Sequence, residues 1–308
     1  MRILMKKILC GIDFSDFSGM TLSYGLALCK EYGAKLYVCH VIDLPAATMY
    51  GEGIADPLEQ KRRITEYAYT YINGLVGDTQ VAWEPFVTIG HTADEIAGLA
   101  ADNQVDLAIT STHGRSGLKR MLLGSVTERL MHILPCPLLA VRRPEKPGDF
   151  RPGQPIELKR ILVGCDFSPD SDLALDYGLS LAQEFESELH LVHVIEPPVY
   201  ENLVKDLTHA AETTFLEDMR LQLKESLDNM VPQDARPWCK PVTALVAGQP
   251  NEELTKYALV NKMDLIVLGV RGHGLVEKLF IGSTTDRVMR QAHCPVLSVQ
   301  PKAEPENP

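Results

Sequence analysis

LCGIDFSDFSGMTLSYGLALCKEYGAKLYVCHVID (residues 9–43) and LVGCDFSPDSDLALDYGLSLAQEFESELHLVHVIE (residues 162–196) are identical at 16 of 35 positions at a constant offset of 153. The matches include Asp13-Phe14-Ser15 with Asp166-Phe167-Ser168, and His40-Val41-Ile42 with His193-Val194-Ile195. Further along the offset becomes 158, because the second copy carries five extra residues in its middle. There Gly90, Glu95, Asp106, Leu107, Gly124, Ser125, Thr127, Cys136 and Pro137 recur as Gly248, Glu253, Asp264, Leu265, Gly282, Ser283, Thr285, Cys294 and Pro295. Self-similarity at so long a period marks the duplication of a whole structural unit. A chain of 308 residues accommodates two units of roughly 150, each large enough to bury its own core.

Both copies follow one plan. KILCGI (7–12) is a short apolar run ending in a glycine and an aspartate, as expected of a strand buried on both faces. From Ser18 the spacing turns helical, with Ser18 as the expected N-cap and Gly33 closing the helix. KLYVCHVI (35–42) is a second strand. Helical stretches over about 56–76 and 201–231 differ between the copies; the segment 199–230 is amphipathic, with core packing its default reading. A third strand near 81–89 leads through Gly90 into a helix whose opening Thr92-Ala93-Asp94-Glu95 has the form of a capping box. VDLAIT (105–110), a glycine-bearing loop, a helix from near Ser125 and CPLLAV (136–141) complete the unit. Strands alternating with helices call for a parallel sheet with right-handed crossovers, so the fold class is α/β with two doubly wound parallel-sheet domains in tandem.

RRPEKPGDFRPGQP (142–155) carries four prolines and two glycines and reads as a linker. The expected boundaries are 1–143 and 158–302 for the domains, 144–157 for the linker and 303–308 for a tail. A formal charge of -11 disfavours nucleic acid as a partner. No apolar run reaches the roughly 20 residues of a membrane span. The opening MRILMKKILCGID is interrupted by Lys6 and Lys7 and reads as a first strand rather than a leader, which points to the cytoplasm. Seven scattered cysteines without a C-x-x-C pattern read as reduced, buried thiols rather than disulfides or metal ligands.

In a doubly wound sheet the ligand lies beyond the carboxyl ends of the strands, where strand order reverses. Asp13 and Asp166 end the first strands, and Thr110-Ser111 and Leu268-Gly269 end the fourth. The second copy continues Gly269-Val270-Arg271-Gly272, nine residues, then Gly282-Ser283-Thr284-Thr285, a G-x2-G-x9-G-S pattern. Glycines allow close backbone approach, and the helix opening at Gly282-Ser283 offers unpaired amides and a positive dipole end to a phosphate. Ser283 and Thr285 are expected to add hydroxyl donors. In the first copy Gly114, Gly124 and Ser125 match, but Ser111 stands where the first glycine should be. His40 and His193 read as structural. His113, His273, Lys119, Arg120 and Lys278 lie in the glycine loops as mainly solvated residues. No Walker A, H-E-x-x-H or G-x-S-x-G motif is present, so no catalytic residues and no metal ligands are assigned.

These motifs resemble the universal stress protein family over nearly the full length of both halves. The resemblance implies a flavodoxin-like or Rossmann-like fold of the adenine nucleotide alpha hydrolase type. It implies ATP, or AMP or ADP, with Mg2+ as an accompanying ion. It assigns Asp166 and the backbone of Val194 to the adenine and ribose, and Gly269, Gly272, Gly282, Ser283 and Thr284 to the phosphate side. Asp13, Val41, Gly114, Gly124 and Ser125 form the weaker counterpart. Ser111 is expected to crowd the first site, so that the C-terminal site fills first. Family members dimerise through their last strand, which implies an internal pseudo-two-fold dimer, with a homodimer as the alternative, and an unidentified protein partner. Slow hydrolysis of bound ATP is the one activity left open.

Overall fold

The computed structural model describes residues 3–43, 57–112, 123–142, 156–196, 209–270 and 282–301. The chain divides into two compact units, chiefly Leu4–Ile156 and chiefly Glu157–Gln300. The first runs β1 (Lys7–Ile12), α1 (Ser18–Tyr32), β2 (Lys35–Ile42), α2 (Pro57–Val76), β3 (Trp83–Ile89), α3 (Thr92–Asp102), β4 (Leu107–Ser111), α4 (Ser125–Ile133) and β5 (Leu138–Val141). The second runs β6 (Arg160–Cys165), α5 (Pro169–Phe185), β7 (Glu188–Ile195), α6 (His209–Met230), α7 (Arg236–Cys239), β8 (Val242–Ala247), α8 (Pro250–Val260), β9 (Leu265–Gly269), α9 (Ser283–Gln291) and β10 (Val296–Val299). Strand order is β3-β2-β1-β4-β5 in the first unit and β10-β9-β6-β7-β8 in the second. Within each unit the strands pair in parallel. Both units are the doubly wound α/β fold expected, with the order reversing between β1 and β4 and between β6 and β9.

Residues that recur between the copies hold the same contacts. The central strands are apolar throughout because both faces are covered: Ile8, Leu9, Cys10, Ile161, Leu162 and Val163 are completely buried. A Cβ placed on Gly25 would lie 2.4 Å from Cys10 Sγ, and one on Gly178 would lie 2.4 Å from Val163 Cγ2. Glycine there lets α1 and α5 settle directly on β1 and β6. Asp106 Oδ2 accepts from the Lys6 and Lys7 amides at 2.7 and 3.0 Å. Asp264 Oδ2 accepts from the Lys159 and Arg160 amides at 2.8 and 2.9 Å. The recurring aspartate thus satisfies the amides at the start of the central strand. Gly33, at φ 64°, closes α1 in the left-handed conformation, as expected.

Two expected caps are not formed. Ser18 is the first residue of α1, after Phe17 at the cap position, and its hydroxyl donates to Asp13 Oδ1 at 3.3 Å. In the other copy the cap is Ser168, the counterpart of Ser15: its hydroxyl accepts from the amide of Ser171, the residue that matches Ser18, at 3.2 Å. The capping box at Thr92 is likewise absent. Thr92 is already helical, and Glu95 Oε2 accepts instead from Thr88 Oγ1 at 2.7 Å. Gly90 explains this, because a Cβ there would lie 2.5 Å from Glu95 Oε1: the carboxylate folds back over the β3–α3 turn. Along α6, Leu216, Met219 and Leu223 are half-buried and Leu227 is wholly buried, so the amphipathic stripe faces the core. All seven cysteines are free and buried. No described helix is long and apolar enough to cross a membrane. Residues 144–155 of the linker lie outside the described residues, as do Leu203 and Leu207 of the amphipathic segment 199–230.

Candidate functional site

In the C-terminal unit β6 ends at Cys165, and Asp166 follows directly. Its Oδ1 accepts from the Ser168 amide at 3.0 Å and the Ser168 hydroxyl at 2.5 Å, a tight Asx turn that aims the chain from β6 into α5. Phe167, between them, has φ 61°, uncommon for an aromatic residue, and its ring lies 4.7 Å from that of His193. His193 Nδ1 is 2.8 Å from the Cys165 carbonyl, which ties the end of β7 to the end of β6. On the neighbouring strand β9, the Gly282 amide donates to the Val270 carbonyl at 2.7 Å, and the Val270 amide donates to Val299 at 2.8 Å. These bonds set the N-terminus of α9 just beyond the carboxyl end of β9. Ser283 is exposed there and Thr284 half-buried.

The N-terminal unit repeats the arrangement. Asp13 Oδ1 accepts from the Ser15 amide and hydroxyl at 3.0 and 2.5 Å. Phe14 again has φ 61° and stacks on His40 with centroids 3.7 Å apart, and His40 Nδ1 is 3.0 Å from the Ile12 carbonyl. The structural reading of the two histidines holds: each bridges two strand ends. The Gly124 amide donates to Thr112 at 2.8 Å, and Ser125 opens α4 exposed to solvent. Val41 is buried; Val194 is half-buried.

The loops depart from expectation at Thr285 and its counterpart. Thr285 gives its hydroxyl to the Gly269 carbonyl at 2.7 Å, and Thr127 does the same to Ser111 at 2.8 Å. Both are buried strand-to-helix ties rather than hydroxyls presented to a ligand. Gly124 and Gly282 have φ −63° and −61°, open to any residue, so positive φ does not require glycine at either. Space is tight at Gly124, where a Cβ would lie 3.1 Å from the Thr112 carbonyl oxygen. Gly114, Gly272, His113, His273, Lys119, Arg120 and Lys278 lie outside the described residues.

Sequence reading did not single out Phe14 and Phe167, although the repeated Asp-Phe-Ser triplet carried them. It also passed over Asp170, which packs on Gly269. Each unit therefore joins, at the point where strand order reverses, a strand-end aspartate and a Gly-Ser helix start. The unpaired amides of such a helix start suit an anion. Among the described residues no group of three or more His, Cys, Asp or Glu is placed to hold a metal ion.

The model of the universal stress protein family matches residues 5–142 and again residues 157–300. The chain belongs to the universal stress protein family. A universal stress protein of Methanocaldococcus jannaschii is 30% identical over 148 residues, 47% of this chain and 85% of its own length. One from Thermus aquaticus is 33% identical over 149 residues, 46% of this chain and 98% of its own. Each of these relatives corresponds to about one copy of the repeat. The crystal structure of a universal stress protein from Archaeoglobus fulgidus matches 97% of this chain and 99% of its own at a TM-score of 0.66. At 21% identity it speaks for the fold. This is a universal stress protein of the tandem, two-domain kind.

Proposed function

We propose that this universal stress protein binds an adenine nucleotide, ATP or the AMP or ADP derived from it, beyond the carboxyl ends of β6 and β9, with a second site beyond β1 and β4. The observation that carries the reading is the Gly282–Val270 bond at 2.7 Å, which sets the start of α9 beside the strand that precedes Asp166. Asp166 and the Val194 backbone would face the adenine and ribose. Gly269, Gly272, Gly282, Ser283 and Thr284 would line the phosphate side, with Mg2+ accompanying a polyphosphate. Asp13, Val41, Gly114, Gly124 and Ser125 take the same roles in the first unit. The domain assignment that goes with this reading is 1–143 and 158–302, joined by 144–157. The protein acts as a cytoplasmic, non-enzymatic module whose nucleotide state governs its contact with another protein.

Unfolding the purified protein and identifying the released small molecules by mass spectrometry tests the ligand class. AMP, ADP or ATP is expected. Calorimetry on Gly282→Val then tests the place. The branched side chain would obstruct the helix N-terminus, and ATP affinity should fall by on the order of 2–3 kcal/mol. A folded variant with unchanged affinity would remove this site and leave the interaction scaffold as the better reading.

A further inference from the structure

The glycine pattern has a second cause inside the fold. A Cβ built on Gly269 would lie 2.7 Å from the Asp170 carbonyl oxygen, 2.8 Å from its carbonyl carbon and 2.8 Å from its Cβ. Two of these atoms are backbone and cannot rotate away. Asp170 is the second residue of α5, which begins at Pro169. At the offset of 153, α1 begins two residues later, at Ser18, the counterpart of Ser171. Proline is pre-set for a first helical position, and Ser168 caps the helix through the Ser171 amide. The two added helical residues hold the Asp170 backbone against the end of β9. The first copy has Asp16 and Phe17 in place of Pro169 and Asp170, and it has Ser111 in place of Gly269.

We infer that the residue at the end of the fourth strand is chosen by the helix facing it: Gly269 accommodates the longer start of α5, and Ser111 goes with the shorter start of α1. Gly269 is a positioning residue, and Ser111 does not weaken the nucleotide site of its own unit. The second statement rests on the nucleotide reading above; the first does not.

The test separates them. Gly269→Ser should lower the melting temperature by several degrees, and Gly269→Ala should lower it less. Gly269→Ser combined with Pro169→Asp and Asp170→Phe should regain at least half of the loss. Ser111→Gly should leave both the melting temperature and the ATP isotherm unchanged within about twofold in affinity. An unchanged melting temperature in Gly269→Ser, or no recovery in the triple variant, overturns the packing role. A tenfold gain in affinity for Ser111→Gly overturns the second statement. If no nucleotide binds to the unmodified protein, the nucleotide reading and the statement about Ser111 fail together, and the melting series still decides the role of Gly269.

Discussion

Asp106 and Asp264 each take two backbone amides at the start of the central strand, so the recurring Asp-Leu pair belongs to the scaffold. Removing such a carboxylate takes away two charge-assisted hydrogen bonds to the start of the central strand. Asp264→Ala should cost about 1–3 kcal/mol, read as a lower urea midpoint at unchanged slope. The thiols give a second prediction at this scale. Burial pushes Cys29 up to about 12, and burial, with a smaller contribution from Glu95, pushes Cys39 up to about 12, from 9.0. A raised thiol pKa favours the protonated, folded form. That stability is fully present below about pH 9 and is lost as pH rises from there towards 12. The decline should be on the order of 1 kcal/mol per thiol by pH 10. A disulfide-forming thiol reagent at pH 8 should label these cysteines only after unfolding, and rapid labelling of the native protein would contradict their burial. The sequence foretold reduced, buried cysteines. It also foretold structural histidines, though their partners, the Ile12 and Cys165 carbonyls, became visible only when the strand ends were brought together.

The packing of a helix on its strand depends on single glycines. In both copies Gly25 and Gly178 stand where a methyl group would meet the central strand. Gly178→Ala should therefore destabilise by about 1–3 kcal/mol through overpacking. Val163→Ala in the same chain should restore part of that loss in a denaturant titration, because Val163 Cγ2 is the nearest atom. Strand and helix positions were readable from the apolar runs: β2 falls on Lys35–Ile42 as expected, and α4 begins at Ser125 as expected. Caps were less readable. The pattern Thr-x-x-Glu at 92–95 suits a capping box, but the close approach at Gly90 draws Glu95 to Thr88 instead. Ser18 and Ser168 show the same sensitivity. Proline at 169 starts α5 early and makes a cap of Ser168, while α1 starts later and leaves Ser18 to Asp13.

For the molecule as a whole, the repeat was enough to foresee two doubly wound units, because the offsets of 153 and 158 bring every central strand and its helix into register. It foresaw less of the site. Glycine spacing does not distinguish a residue that admits a ligand from one that admits a neighbouring helix, and at Gly269 the nearest atoms are those of Asp170. Nor did it mark Thr127 and Thr285 as ties to the fourth strands, since a threonine in a first helical turn looks the same whichever way its hydroxyl points. The central claim is that an adenine nucleotide lies beyond the first and fourth strands of these units. Photolabelling the purified protein with an azido-ATP, with and without excess unlabelled ATP, followed by peptide mapping, tests it most directly. Competable label is expected on peptides containing Asp166, Val194 or Gly269 to Thr284, or on their counterparts at Asp13, Val41 or Ser111 to Ser125. Label that ATP does not displace, or label confined to α2 or α6, would contradict it.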